Sequence, residues 1–308
     1  EDMERTVGSS MDKFIKHYAT HRFGDTRDKY NSPYQAIQKA THGQNIGELF
    51  DDIKLKSEYY SKIIHPDKGE DGNCDEIEYA IFDFFRTKRF EQFRPVFHQR
   101  ALGKLSSQKY ERTLKYIYNF FVCYTIIGEE KSNKLEDVVF KYARMLEDSY
   151  SDELLQEFAN NLKRKIPSYE WFLNAFKNVG WSNRYDLYKG EKNKTRVQII
   201  LEVIELFISQ AHNAHDFTVE HILPDSDGIT NAQIGNLIPL EDALNRSCAN
   251  KSLTAKCDFY EKSSFTSARG IATRFREKPF DPSKRTEYLA KLMYNNILEL
   301  NQFDYSKD

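Results

Sequence analysis

Apolar residues recur at three- and four-residue spacing through the first half of the chain. Phe82, Phe85, Phe90 and Phe93 carry that period, and Arg94-Pro95 interrupts it. From Tyr116 to Tyr124 the chain is apolar on nearly every face, which predicts a buried central helix. Asp152 to Lys165 is amphipathic and stops before Pro167, as helices tend to. Residues 1 to about 165 therefore read as a string of helices. A stretch rich in Gly, Asn and Lys, from Gly180 to Asn193, predicts a domain boundary. A helix from Thr195 to about Gln210 follows it, with Val197, Ile200, Leu201, Ile204 and Ile208 on one face.

Beyond that helix the pattern changes. Phe217 to Leu223 is short, β-branched and aromatic, and Pro224 stops it, so it predicts a strand. Gln233 to Leu240 is a second short apolar run. The polar Asn245-Arg246-Ser247 comes next, then a predicted helix from roughly Ala249 to Lys262 and a last one from Lys284 to Leu300. The expected fold class is mainly α: a helical domain over residues 1–185, then a ββα finger embedded in helices over residues 186–308.

Composition sharpens this picture at a few points. An apolar share of 40% against 30% charged excludes a disordered chain. Only 13 Gly and 8 Pro favour helices over turn-rich β architecture. A net charge of −2 excludes a uniformly basic, DNA-coating protein, so nucleic-acid contact must come from a local patch. Lys251 to Lys291 holds ten Lys/Arg against five Asp/Glu and is one candidate. Cys74, Cys123, Cys248 and Cys257 form no C-x-x-C pair, which argues against a zinc ribbon or a disulfide scaffold and suits a reducing cytoplasm. The sequence shows no run of about 18 apolar residues and no signal peptide, so no membrane partner is expected. The chain opens on Glu1 and not Met, which predicts a piece of something longer.

The chemistry concentrates at Glu220-His221, near the end of the first strand. Strand neighbours point to opposite faces, so the carboxylate can face a metal while the imidazole faces an attacking water. Asn245, after the second strand, offers an amide oxygen that can complete a hard-cation site of the kind Mg²⁺ uses. Phosphodiester hydrolysis needs a base for water and a cation for the developing charge, and this set supplies both.

Three segments together carry a resemblance. Glu-His-Ile-Leu-Pro (Glu220 to Pro224), Ile-Gly-Asn-Leu-Ile-Pro-Leu (Ile234 to Leu240) and the run from Asn245 to Lys256 resemble the C-terminal HNH (ββα-metal) nuclease domain of GmrSD-type, modification-dependent restriction enzymes. More loosely, Tyr59-Tyr60, Ile77 to Phe85 and Pro95 resemble the region that links the two halves of the full-length family. The resemblance implies a DNA endonuclease acting in restriction and antiviral defence, dependent on Mg²⁺ or Mn²⁺. It implies His221 as general base, Glu220 and Asn245 as catalytic metal-site residues, and Asn236 as the residue that orders the loop. Lys251 and Lys256 would approach DNA phosphates. A ParB-like nucleotide-binding domain would precede the chain. Many HNH members carry Asp where this chain has Glu220, one methylene longer, which weakens the case for direct ligation there. Two other readings stay open: a non-catalytic DNA- or protein-binding module with a degenerate finger, and an RNA-directed nuclease, since such a finger grips backbone more than bases.

Other signals point elsewhere. His65-Pro66-Asp67-Lys68 copies the co-chaperone J-domain loop but lacks the expected upstream helix start, and reads as a helix-ending turn. His212 and His215 have a spacing that can bind metal but also suit a solvated helix end. No Gly-rich phosphate loop is present, so nucleotide binding is not expected of this segment. The Tyr and Phe of residues 79–124 read as core.

Overall fold

The computed structural model describes residues 6–24, 32–43, 45–68, 72–88, 90–98, 106–165, 168–210 and 216–301. His212 and His215 lie outside the described residues. The chain is mainly helical with one small sheet. Its helices are α1 (Met11–Phe23), α2 (Pro33–Ala40), α3 (Ile46–Ile64), α4 (Glu76–Thr87), α5 (Arg94–Phe97), α6 (Ser107–Phe121), α7 (Glu136–Asp148), α8 (Asp152–Lys163), α9 (Tyr169–Lys177) and α10 (Glu191–Ser209). Then come β1 (Thr218–His221), β2 (Leu237–Leu240), α11 (Asp242–Cys248), α12 (Leu253–Tyr260), α13 (Thr266–Phe275) and α14 (Pro282–Leu292).

Two compact units form. One comprises Glu1–Phe120 and Lys131–Lys165, the other Phe121–Glu130 and Ile166–Gln302. In the first, the aromatic periodicity becomes packing. Phe82 and Phe85 on α4 bury against Phe97, and Phe14 and Tyr18 on α1 bury with Tyr60 on α3. Asp75 and Glu78 start α4 with a reciprocal capping box, which satisfies backbone donors that a helix start otherwise leaves unpaired. α3 ends at Ile64, and the His65-Pro66-Asp67 stretch is the turn that follows it, held by Asn73. Lys56 and His21 both reach Glu147 in the interior, at 2.8 and 2.6 Å.

The second unit holds the hairpin. β1 and β2 pair antiparallel, with Glu220 opposite Ile238 and His221 opposite Leu237. A two-stranded ribbon is marginal in water by itself. Here helices cover it: Ile222, Ile238 and Leu240 pack with Cys248, Cys257, Tyr260, Ala268 and Ile271 in one core. α14 lies close against the loop before β2. A Cβ on Gly235 would sit 2.0 Å from the Pro282 carbonyl oxygen and 2.2 Å from Thr286 Oγ1, so only glycine permits the approach. Thr286 Oγ1 accepts from the Gly235 N–H, and Arg285 donates to the carbonyls of Gly235 and Leu237.

Two boundaries differ from expectation. The units divide at 165/166 and not at 185/186. The cause is backbone pairing: Trp181 N–H donates to Ala232 O, and Ile234 N–H donates to Val179 O, so the Gly180 loop belongs with the hairpin. The expected helix over 249–262 is the shorter α12, and the polar Asn245-Arg246-Ser247 before it forms a helix of its own, α11, which ends where Ala249 takes a φ of 41°. A left-handed alanine ends a helix because its Cβ crowds the following carbonyl. Asn245 therefore lies within the short α11 that directly follows β2.

Candidate active site around His221

Strand alternation sets the site. Glu220 turns inward to the α12 face, and His221 turns to the other side. Glu220 is buried, and its Oε1 accepts from Lys256 Nζ at 2.7 Å and from the Tyr260 hydroxyl at 2.9 Å. Lys256 Nζ also donates to the His221 carbonyl at 2.5 Å. Burial pushes the Glu220 carboxyl above the usual carboxylate range, against the downward pull of the Lys256 ammonium. Lys256 itself is 1% exposed, so the expectation that it meets DNA phosphates is corrected: it is the counter-ion of Glu220. Lys251 is exposed on the α11–α12 connection, where its ammonium bonds the Ser247 carbonyl and lies 5.3 Å from the centre of the Phe259 ring.

His221 meets the loop that precedes α10. Its Nε2 lies 2.9 Å from the Trp181 carbonyl oxygen. A carbonyl only accepts, so Nε2 carries the proton and Nδ1 keeps a lone pair. The imidazole lies 5.5 Å from the Trp181 ring at 32°. Burial lowers the His221 pKa, and the Trp181 carbonyl and Asp225 partly oppose this. The neutral imidazole is thus the resting form at neutral pH. Asp225 is fixed by the Ser182 hydroxyl at 2.6 Å and by Arg184 Nε at 3.3 Å, while Tyr185 donates to its backbone carbonyl. Sequence reasoning missed Trp181, Ser182, Tyr185 and Asp225. Trp181 acts through a backbone carbonyl, which every residue type has, so no signal for it exists in the sequence.

The two asparagines brace the strand from either side. Asn236 is fully buried: its Oδ1 accepts from Leu223 N–H at 2.9 Å, and its Nδ2 donates to Leu223 O and Asn231 O at 2.8 and 2.7 Å. Asn245 spends both amide hydrogens on β1, at Thr218 Oγ1 (2.7 Å) and Val219 O (3.2 Å), which leaves Oδ1 as its remaining acceptor. A polar loop thus closes from β1 back to β2, with a helix pinned across it.

The sequence of this part of the chain has a counterpart in a known family. Residues 152–292 match the family model for the C-terminal domain of GmrSD restriction endonucleases. The GmrSD match runs from the start of α8 to the end of α14 and takes in Trp181, the hairpin and both asparagines. The proteins of that family are restriction endonucleases. No curated protein matches the chain. Among the described residues no helix is long and apolar enough to cross a membrane.

Restriction endonuclease domains typically use divalent metals. The Glu220–Asn245 pair does not fit one as it stands. Among the described residues no group of three or more His, Cys, Asp or Glu side chains is placed to hold a metal ion. Glu220 already has a cation, Lys256, at 2.7 Å, and a divalent ion on the same oxygen would have to displace it.

The asparagine geometry makes a paired prediction. Asn236→Ala strands the Leu223 N–H, the Leu223 carbonyl and the Asn231 carbonyl, and should cost about 1–3 kcal/mol of stability. Asn245→Asp keeps an oxygen but loses two donors and faces the Val219 carbonyl with a charge. It should melt below wild type and show no recovery with added Mg²⁺. Urea denaturation of both variants, with and without 10-fold stepped Mg²⁺, checks this, and metal rescue of Asn245→Asp would return Asn245 to a ligand role.

Proposed function

We propose that the GmrSD-type segment is an HNH-type DNA endonuclease in which His221 is the general base. The observation that carries this reading is the hydrogen bond from His221 Nε2 to the Trp181 carbonyl. It leaves Nδ1 unprotonated on an imidazole that burial keeps neutral. In the proposed step, Nδ1 takes a proton from water, the resulting hydroxide attacks phosphorus, and the bond to the leaving oxygen breaks as that oxygen takes a proton from solvent. Chain order supports the HNH assignment: strand with His221, loop closed by Asn236, second strand, then the helix with Asn245. In this reading Glu220 and Lys256 anchor β1 to α12, and Asn245 holds the strand beside the reacting centre. Lys251, exposed at the end of α11, is the remaining candidate for a phosphate contact.

The biological role we infer is restriction of incoming phage or plasmid DNA in the cytoplasm, with a ParB-like nucleotide-binding domain as the partner module that the family resemblance calls for. The described cysteines are all free thiols, which suits that compartment. One observation favours a second reading, a non-catalytic DNA-binding module: the engagement of Glu220 by Lys256. Supercoiled-plasmid nicking in Mg²⁺, in Mn²⁺ and in EDTA separates the two. Nicked product in at least one condition is expected, and its loss in EDTA reads the divalent dependence that the family calls for. Intact supercoil in all three, with DNA still bound, overturns the enzymatic reading.

A further inference from the structure

Away from His221, the C-terminal half of α10, together with α13, α14 and the connection between those two, lines a half-open cavity of about 790 Å³. Its walls are aliphatic and aromatic, with Ile204, Ile208, Ile271, Phe280 and Leu289 among them. Gly270 lines it from the middle of α13. Glycine inside a helix is unfavourable relative to alanine, and it usually stands there for a packing reason. Among the described residues no such reason exists here: a Cβ at Gly270 would meet none of them within 4 Å, in contrast to Gly235, where it would strike α14. The missing side chain simply adds room to the cavity.

The polar part of the wall is cationic. Arg285 donates to the carbonyls of Gly235 and Leu237, and among the described residues it has no carboxylate partner. The charged or titratable groups around it are Arg274, Tyr260 and Tyr288. Arg285 is half-buried, and a partly desolvated charge without an ion partner gains from acquiring one. Arg274, also lining the cavity, is exposed and has no ion pair among the described residues. Asp281 is the acidic residue of the wall, and its Oδ1 accepts from the Ser283 and Lys284 N–H groups at the start of α14. The hydroxyls of the wall are partly engaged. Ser267 donates to Glu205, and Thr266 Oγ1 accepts from Arg269.

We propose that this cavity binds a small amphipathic carboxylate, with its apolar body in the space beside Gly270 and its head group against Arg274 and Arg285. The inference is independent of the endonuclease reading. It would hold for a catalytically dead chain.

The test is titration of the full chain with 8-anilinonaphthalene-1-sulfonate, followed by competition with dodecanoate and with thymidine monophosphate. Saturable binding at one site is expected, displaced by dodecanoate and not by the nucleotide. Gly270→Leu should fill the cavity and weaken binding tenfold or more while the melting temperature holds or rises. Arg274→Glu, at an exposed position, should weaken it at least as much. Failure of the probe to saturate overturns the proposal. So does unchanged affinity in both variants, or displacement by the nucleotide equal to that by dodecanoate.

Discussion

His221→Ala is expected to nick supercoiled plasmid about 10²–10⁴-fold more slowly than the parent chain, the range for loss of a positioned general base. Folding should survive, because the imidazole donates a single hydrogen bond, to a backbone carbonyl at a half-buried position. DNA affinity by anisotropy should change little. The pH profile carries the same signature. Burial lowers the His221 pKa, so the group loses its proton at a lower pH than a free imidazole, and base activity should persist below pH 6.5. The acid limb of the rate should therefore fall on the low side of the ordinary histidine value. The same shift has a stability consequence. The unfolded chain takes up a proton that the folded chain resists, so stability falls as pH drops through the unfolded value. Parental cutting by His221→Ala would remove His221 from the mechanism.

The second large effect concerns stability. Lys256→Ala should cost about 3–5 kcal/mol, because it leaves the Glu220 carboxylate buried without its counter-ion. At about 2–4 °C per kcal/mol, the melting temperature should fall by about 6–20 °C. The pH dependence has a definite sign. Burial already raises the Glu220 pKa, and loss of Lys256 removes an opposing pull. The folded variant then holds a proton that the unfolded chain releases, so its deficit should shrink as pH falls from 7.5 toward 5. Glu220→Gln combined with Lys256→Met should recover part of the loss. A phosphate-contacting lysine behaves differently: its removal leaves melting unchanged and flattens the salt dependence of DNA binding by about one unit. Melting curves at two pH values distinguish these outcomes.

Much of the candidate site was legible as a pattern. The Glu-His-Ile-Leu-Pro run announced a short strand ended by proline, and β1 ends at His221. The Ile-Gly-Asn-Leu run announced a second strand, and β2 begins at Leu237. These signals are local, since they depend on β-branching, proline and alternation within a few residues. The domain boundary was not legible, because a Gly- and Asn-rich loop looks alike whether it joins two units or pairs, as here, with Gln233 in the loop before β2. Lys256 was not legible either. A lysine in a basic run is ordinarily solvated, and only the tertiary placement of Glu220 gives this one a reason to be buried.

The sequence by itself thus determined a helical chain and a short apolar hairpin that carries Glu220 and His221. Tertiary structure decided what each of them does. It turned Glu220 from a free carboxylate into half of a buried ion pair, because α12 carries Lys256 and Tyr260 under β1. It fixed the proton on His221 Nε2 through the carbonyl of a residue forty positions upstream. It gave Gly270 an open space instead of a neighbour. Each outcome depends on which group is opposite in space, and one-dimensional patterns encode only which groups are near along the chain.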